Sequence, residues 1–267
     1  MASLNPPVRN WTSRTVWIVG ASSGIGRALA AQLAEAGARV VVSARREAEL
    51  LTITPRPALC VACDIGQTSS IDRALAHLIS HRAVPDMVIW VAGVYHPMSS
   101  ATLNFEHVKE TFEVNVLSAY YAQQQLVKLW QSHRIQHPGM PAPHWVLVSS
   151  VAGYSGLPQA SAYGASKAAL TYLAETSYLE LGQHGIAVSV VNPGFVDTRL
   201  TKKNDFKMPA IISVEQAAHE TRRGLEKGQF EIHYPRRFTR WLKLLRLLPY
   251  GLYFKIIRAT LPKPPAA

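Results

Sequence analysis

Thr15-Val16-Trp17-Ile18-Val19-Gly20-Ala21-Ser22-Ser23-Gly24-Ile25-Gly26 is the stretch that decides the fold. A short apolar run ends on three glycines spaced Gly-x-x-x-Gly-x-Gly. Helix formers with an amphipathic pattern follow from about Ile25 to Ala36, and Gly37 stops them. Strand, tight turn and helix in that order bring free N–H groups and the positive end of a helix dipole to one point. Glycines let the backbone turn sharply and approach a phosphate with no Cβ between. The turn therefore predicts a dinucleotide pyrophosphate at the first strand–helix junction, with Gly20, Ser22, Ser23, Gly24, Ile25 and Gly26 around it. The spacing differs from the commoner Gly-x-Gly-x-x-Gly, and a plain strand–helix connection is the bland alternative.

The same alternation continues along the chain. Further strands are expected at Arg39–Ser43, Leu59–Cys63, Met87–Val91, Trp145–Ser149, Ile186–Val191 and Gln229–His233. Helices are expected at Ser69–His81, Phe105–His133 with a break or bend, Ala162–Leu181 and Val214–Lys227. A Pro-rich surface loop covers His137–Pro143. The strands are continuous apolar runs, which suits a parallel sheet covered on both faces. The expectation is an α/β chain with a doubly wound, seven-stranded parallel sheet and a ligand crevice at the strands' carboxyl ends.

At 267 residues and 48% hydrophobic composition the chain can bury one large core. No internal repeat or low-complexity linker divides it. Residues 1–235 are expected to form the nucleotide-binding and catalytic domain, and 236–267 a basic amphipathic extension. Met1–Arg14 lacks the apolar core of a signal peptide, and no run of about 20 apolar residues exists to span a bilayer. A cytoplasmic protein, free in solution or peripherally bound to a membrane, is expected. Cys60 and Cys63 stand in a Cys-x-x-Cys spacing, but on a strand positions three apart face opposite sides. They are expected as buried core thiols, and no metal site is expected. The net charge of +11 is concentrated at the end: residues 234–267 hold eight Lys or Arg and no acid.

Tyr163 and Lys167 lie four apart in a helix-forming stretch, one turn from each other on one face. An ammonium beside a phenol is expected to lower a pKa that is ordinarily about 10, and to make the phenol a usable acid or base. Ser43-Ala44-Arg45-Arg46 closes the second strand without the acid that would hold an NAD ribose hydroxyl. The planar fork of arginine suits a 2′-phosphate, so NADP(H) is the expected cofactor, with Arg45 its partner ahead of Arg46 and Arg27.

These motifs together resemble the short-chain dehydrogenase/reductase family over about residues 14–233. Ser150 precedes Tyr163 by thirteen residues, and Asn115 stands in Glu113-Val114-Asn115-Val116. The resemblance implies a Rossmann fold and a catalytic set of Asn115, Ser150, Tyr163 and Lys167. It further implies cofactor contacts from Asp64 near the adenine, from Ala92 and Gly93 after the fourth strand, and from Pro193, Gly194, Val196 and Thr198 on the nicotinamide side. Asn115, Tyr163 and Lys167 count among those contacts. Two positions depart from the pattern: Val19 replaces a Thr, and Trp90-Val91 replaces Asn-Asn. Their apolar side chains are expected to substitute packing for lost hydrogen bonds.

What the resemblance implies is reversible hydride transfer between NADP(H) and a ketone or secondary alcohol. Tyr163 is the proton donor and Ser150 a hydrogen-bond donor to the carbonyl oxygen. Lys167 lowers the tyrosine pKa and holds the ribose, while Asn115 positions a water that relays protons to Lys167. The alternatives are a nucleotide-binding regulator without turnover and a membrane-peripheral scaffold. Substrate loops are expected at Val94–Ser100, Tyr154–Gln159 and Phe195–Ile212. Tyr154, Leu157, Phe195, Phe206 and Met208 suggest an apolar pocket. In the tail, Arg237, Arg240, Lys243 and Arg246 recur every three residues, while Phe238, Trp241, Leu242 and Leu245 gather on the other side. Residues 236–258 either contact an anionic membrane surface or pack on the body or a second subunit. Leucines outnumber stacking aromatics there, so no nucleic-acid partner is expected. The resemblance implies a homodimer or homotetramer.

Overall fold

The computed structural model describes residues 3–203 and 208–259. Seven strands form one sheet: β1 (Thr15–Val19), β2 (Arg39–Ala44), β3 (Leu59–Ala62), β4 (Met87–Trp90), β5 (His144–Val148), β6 (Ala187–Pro193) and β7 (Glu231–Tyr234). Their order across the sheet is β3-β2-β1-β4-β5-β6-β7, and every pairing is parallel. The chain winds outward through β2 and β3, then returns to the other side of β1 to lay down β4. The loops leaving β1 and β4 diverge there, which opens a crevice at the strands' carboxyl ends.

Helices cover both faces. Helices α1 (Gly24–Glu35) and α7 (Val214–Glu226) pack on one face, with Leu29, Leu33, Ala217 and Leu225 fully buried beneath them. The one-turn α2 (Glu47–Leu50), which its length hides in the sequence, adds Leu50 to that core. The other face carries α3 (Thr68–Ser80), α5 (Ser118–Gln136) and α6 (Ser161–Leu181). Cys60 packs toward the first layer and Cys63 toward the second, as strand alternation requires; both are free, and Cys60 is only half-buried.

The expected bend between Phe105 and His133 is a π-helical turn, Glu113–Leu117, between α4 (Phe105–Phe112) and α5. One extra residue in a helical ladder re-aims the side chains around it. Asn115 sits at its centre.

The departure at Trp90 has a packing counterpart. Trp90 meets Trp17 edge-on at 6.4 Å and Trp145 at 5.7 Å, so three indoles bridge β1, β4 and β5 inside one core layer. Trp17 Nε1 donates to Ser43 Oγ at 2.8 Å, whereas the buried indole N–H groups of Trp90 and Trp145 find no partner among the described residues.

After β7 the chain forms α8 (Arg236–Arg246) and α9 (Tyr250–Arg258). Both pack on the body by one face: Thr239, Leu245 and Tyr253 are buried, and Phe238 lies against Phe195, the rings tilted with centroids 5.6 Å apart. The other face leaves Trp241, Leu244, Leu247 and Tyr250 exposed among the basic residues. Trp241, expected with Leu245 on the apolar side, is half exposed while Leu245 is buried. The described residues contain no helix long and apolar enough to cross a membrane.

Candidate active site

The crevice between the β1 and β4 loops opens into a cleft of about 370 Å³. Gly20, Ser22, Ser23, Gly24 and Ile25 form its floor. Gly20 has φ +96°, and a Cβ there would lie 2.6 Å from the Ala92 nitrogen. Gly26 lies behind the cleft rather than on it. A Cβ at Gly26 would come within 2.3 Å of the Gly20 carbonyl oxygen, so this glycine shapes the turn from beneath. The exposed N-terminus of α1 and the missing Cβ atoms make a cradle that fits a pyrophosphate.

Arg45 and Arg46 rim the cleft beyond β2. Arg46 is committed: Nε and Nη2 both donate to Glu49 Oε1, at 2.9 and 2.6 Å. Glu49, which α2 brings to this corner, also accepts a bond from Ser22 and has Arg199 at 4.0 Å. Its carboxyl is held below the usual range first by the Arg46 hydrogen bond. Arg27 is tied to the Glu49 and Thr52 backbone and points away from the phosphate role. Arg45 makes no ion pair with an acid among the described residues. Asp64, at the mouth of β3, lines the cleft and accepts from the Gly66 N–H at 3.1 Å.

On the opposite wall stand Ser150, Tyr163 and Lys167. Lys167 is buried, and its Nζ donates to the Val148 carbonyl at 2.9 Å. Nζ lies 5.7 Å from the centre of the Tyr163 ring. Burial pulls the Lys167 pKa down to about 8. The Tyr163 pKa is not lowered as expected. Enclosure of the phenol pushes it up to about 12, and the hydrogen bond with Ser150 works only partly against that. Desolvation of the phenolate by burial prevails.

Asn115 is wholly buried behind the cleft. Its Oδ1 accepts from Val94 N at 2.8 Å, while Nδ2 donates to Val94 O and Ser166 Oγ, both at 3.0 Å. All these bonds hold the loop after β4 to α6, a role the sequence does not disclose. Gly93 fits between: a Cβ there would lie 3.0 Å from Asn115 Oδ1 and 3.4 Å from Lys167 Nζ. Pro193, Gly194, Val196 and Thr198 complete the cleft beyond β6.

Several residues of the site have no sequence signal. Ser149 Oγ donates to the Lys167 carbonyl at 2.6 Å, and Ser166 Oγ links Asn115 to the Tyr163 carbonyl at 2.7 Å. Tyr95 lays its ring against Tyr163 at 4.8 Å. The expected apolar pocket is not what Tyr154, Leu157, Phe195 and Met208 form, because none of them lines the cleft. Tyr154 turns inward to bond Glu231 instead. Phe206 lies outside the described residues.

A glycine cradle and a Ser–Tyr–Lys wall on one cleft define a nucleotide-dependent oxidoreductase. A family model described as short chain dehydrogenase matches residues 14–208. An uncharacterized oxidoreductase of Myxococcus xanthus is 30% identical, covering 90% of this chain and 94% of its own. The 3-oxoacyl-[acyl-carrier-protein] reductase MabA of Mycobacterium avium is 26% identical over 75% of this chain and 74% of its own. In structure, a short chain dehydrogenase from Burkholderia cenocepacia solved in complex with NADP superposes with a TM-score of 0.78. It covers 92% of this chain and 98% of its own, at 24% identity. The chain belongs to the short chain dehydrogenase family.

Proposed function

We propose that the protein is an NADP(H)-dependent carbonyl reductase, reversibly interconverting an apolar ketone and its secondary alcohol in the cytoplasm. The observation that carries this reading is the meeting of Ser150, Tyr163 and Lys167 on the cleft whose floor is the glycine cradle. Bound nicotinamide supplies or accepts the hydride. Tyr163, held protonated by burial, delivers a proton to the carbonyl oxygen. Ser150 donates a hydrogen bond to the same oxygen as negative charge develops on it. Lys167, with its pKa near 8, still carries charge at pH 7 and sets the field beside the phenol. Arg45, free of any acidic partner among the described residues, takes the 2′-phosphate. The ring of Tyr95 against Tyr163, with Val94 of the same loop lining the cleft, supports an apolar substrate. The 3-oxoacyl substrates named for the mycobacterial relatives agree with a ketone. The test is oxidation of NADPH and of NADH against a panel of short- and long-chain ketones. Turnover with NADPH on the apolar members supports the reading; none with any ketone refutes it.

The same reading includes peripheral contact with an anionic bilayer through 236–258. Trp241, Leu244, Leu247 and Tyr250 are 50–79% exposed, and Arg237, Arg240 and Arg246 stand among them without an acid. Basic residues near an anionic surface contribute about 1 kcal/mol each. Reversing Arg237 and Arg240 to Glu should weaken binding to phosphatidylglycerol vesicles at least roughly 30-fold. Wild-type binding no tighter to phosphatidylglycerol than to phosphatidylcholine overturns the contact. The exposed stripes Leu117–Tyr120 and Tyr172–Leu179 favour a homo-oligomer, which sedimentation would show as a mass above the monomer's 29.4 kDa.

A further inference from the structure

Glu231 joins three segments that are far apart in the chain. Its Oε1 accepts from the Tyr154 hydroxyl at 2.7 Å and from Asn192 Nδ2 at 2.9 Å. Its Oε2 pairs with the Lys243 ammonium, which also lies 5.7 Å from the centre of the Tyr154 ring. Tyr154 closes the short turn that Ser150 begins. Asn192 immediately precedes Pro193 and Gly194 on the nicotinamide side of the cleft. Lys243 belongs to α8. One carboxylate thus grips the Ser150 turn, the Pro193–Gly194 turn and the C-terminal helix. A second tie runs in parallel: the Tyr253 hydroxyl of α9 donates to the Gly156 carbonyl at 2.7 Å, on the loop that Tyr154 opens.

We propose that Glu231 is a positioning residue that holds the Ser150 turn and the Pro193–Gly194 turn in catalytic register, and that Lys243 makes this register depend on the seating of α8. The proposal deepens the reductase reading and rests on it.

The chemistry favours alignment over adhesion. Burying a carboxylate costs more than burying an apolar side chain of its size, so packing α8 onto the sheet needs no charge here. Two short directed hydrogen bonds to one carboxylate fix angle as well as distance, which apolar contact does not. Both turns carry groups that address one reacting carbon, where misplacement by 1 Å costs on the order of 10²-fold in rate. Neither Tyr154 nor Glu231 lines the cleft, so their effect on turnover passes through Ser150 and Gly194. A surface that engages α8 therefore reaches the site through Lys243.

Four variants test this: Tyr154→Phe, Glu231→Gln, Lys243→Met and Lys243→Arg. For Tyr154→Phe and Glu231→Gln the expectation is a kcat roughly 10–100-fold lower with KM for the ketone and affinity for NADPH within threefold. Lys243→Met should share the defect and Lys243→Arg should restore most of it. Adding Lys243→Met to Glu231→Gln should cost little more than Glu231→Gln alone. A folded Tyr154→Phe or Glu231→Gln enzyme with kcat within threefold of wild type overturns the proposal. Tyr154→Phe removes one hydroxyl, so it remains decisive if Glu231→Gln does not fold. Hydrogen exchange of residues 150–156 and 193–197 in the protein alone gives a readout free of turnover. Both segments should exchange faster in Lys243→Met, although Lys243 belongs to neither. Unchanged exchange overturns the proposal even if the wild type reduces no ketone, a result that on its own would refute only the reductase reading.

Discussion

At the scale of single residues, the site divides labour between a phenol that holds its proton and a lysine partly robbed of its own. Burial has opposite effects on an acid and a base: it raises the Tyr163 pKa to about 12 and lowers that of Lys167 to about 8. Both shifts suit the proton-donor role proposed for Tyr163 at neutral pH. Removing its hydroxyl with Tyr163→Phe should cut kcat by about 10²–10⁴-fold, the usual worth of a placed general acid. NADPH affinity, measured by fluorescence titration, should change less than threefold. Arg45 is the second residue whose proposed role can be tested singly. Arg46 is occupied with Glu49, whereas Arg45 has no acidic partner among the described residues, which supports it as the proposed 2′-phosphate ligand. A charge-assisted hydrogen bond is worth about 1.5–3 kcal/mol, so Arg45→Ala should raise KM for NADPH roughly 10–100-fold. KM for NADH should stay nearly constant, and equal losses with both cofactors would place the phosphate elsewhere. Tyr163, Lys167, Ser150 and Arg45, which the sequence singles out by local motifs, all line the cleft. The sequence did not disclose Glu49, which reaches the corner only through a one-turn helix.

At the scale of elements, the wall that carries Ser150, Tyr163 and Lys167 is two pieces of backbone pressed together. The turn Val151–Gly153 lies so close to α6 that a Cβ on Gly153 would sit 2.7 Å from both the Ala168 nitrogen and the Lys167 carbonyl carbon. Those are backbone atoms and cannot swing away. Gly153→Ala must separate the turn that carries Ser150 from the helix that carries Tyr163 and Lys167. Overpacking of this kind costs about 1–3 kcal/mol. The expected result is a lower Tm together with a kcat loss larger than stability alone explains, since the folded fraction stays near unity. A variant that unfolds earlier yet keeps full kcat at 25 °C would show that the contact serves stability only. The alternation of strands and helices was legible because parallel strands buried on both faces leave continuous apolar runs. The bend at Asn115 was legible as a break but not as a π-helical turn, because one inserted residue leaves no compositional trace. The inward turn of Tyr154 was illegible, because its partner Glu231 lies 77 residues away.

At the scale of the whole molecule, two buried titratable groups at the amino ends of the strands oppose each other's response to acid. Arg14 Nε lies 2.7 Å from Asp86 Oδ1, a close ion pair, and Asp86 Oδ2 accepts from the Thr15 N–H at 2.6 Å. The backbone N–H of His144 bonds to the Asp86 carbonyl at 2.8 Å, and its ring bonds to Ser189. Burial drives the two side chains in opposite directions. Asp86 rises to about 6 from 3.8, with Arg14 opposing the shift, and His144 falls to about 3 from 6.5. Stability rises with pH wherever the unfolded chain binds more protons. Between pH 3.8 and 6 the unfolded chain holds a proton on its histidine, while the folded chain holds one on Asp86. The counts match, so the pair leaves stability flat across that window. Replacing one member exposes the other. In His144→Gln, only Asp86 remains, the folded state binds more protons, and stability should fall as pH rises from about 4 to 6. In Asp86→Asn, only His144 remains, the unfolded state binds more, and stability should fall as pH drops from about 6.5 toward 3. Urea midpoints measured across that range in the two variants should therefore slope in opposite senses. Parallel slopes would mean that Asp86 stays ionised against Arg14 throughout, and that the ion pair rather than burial sets its charge.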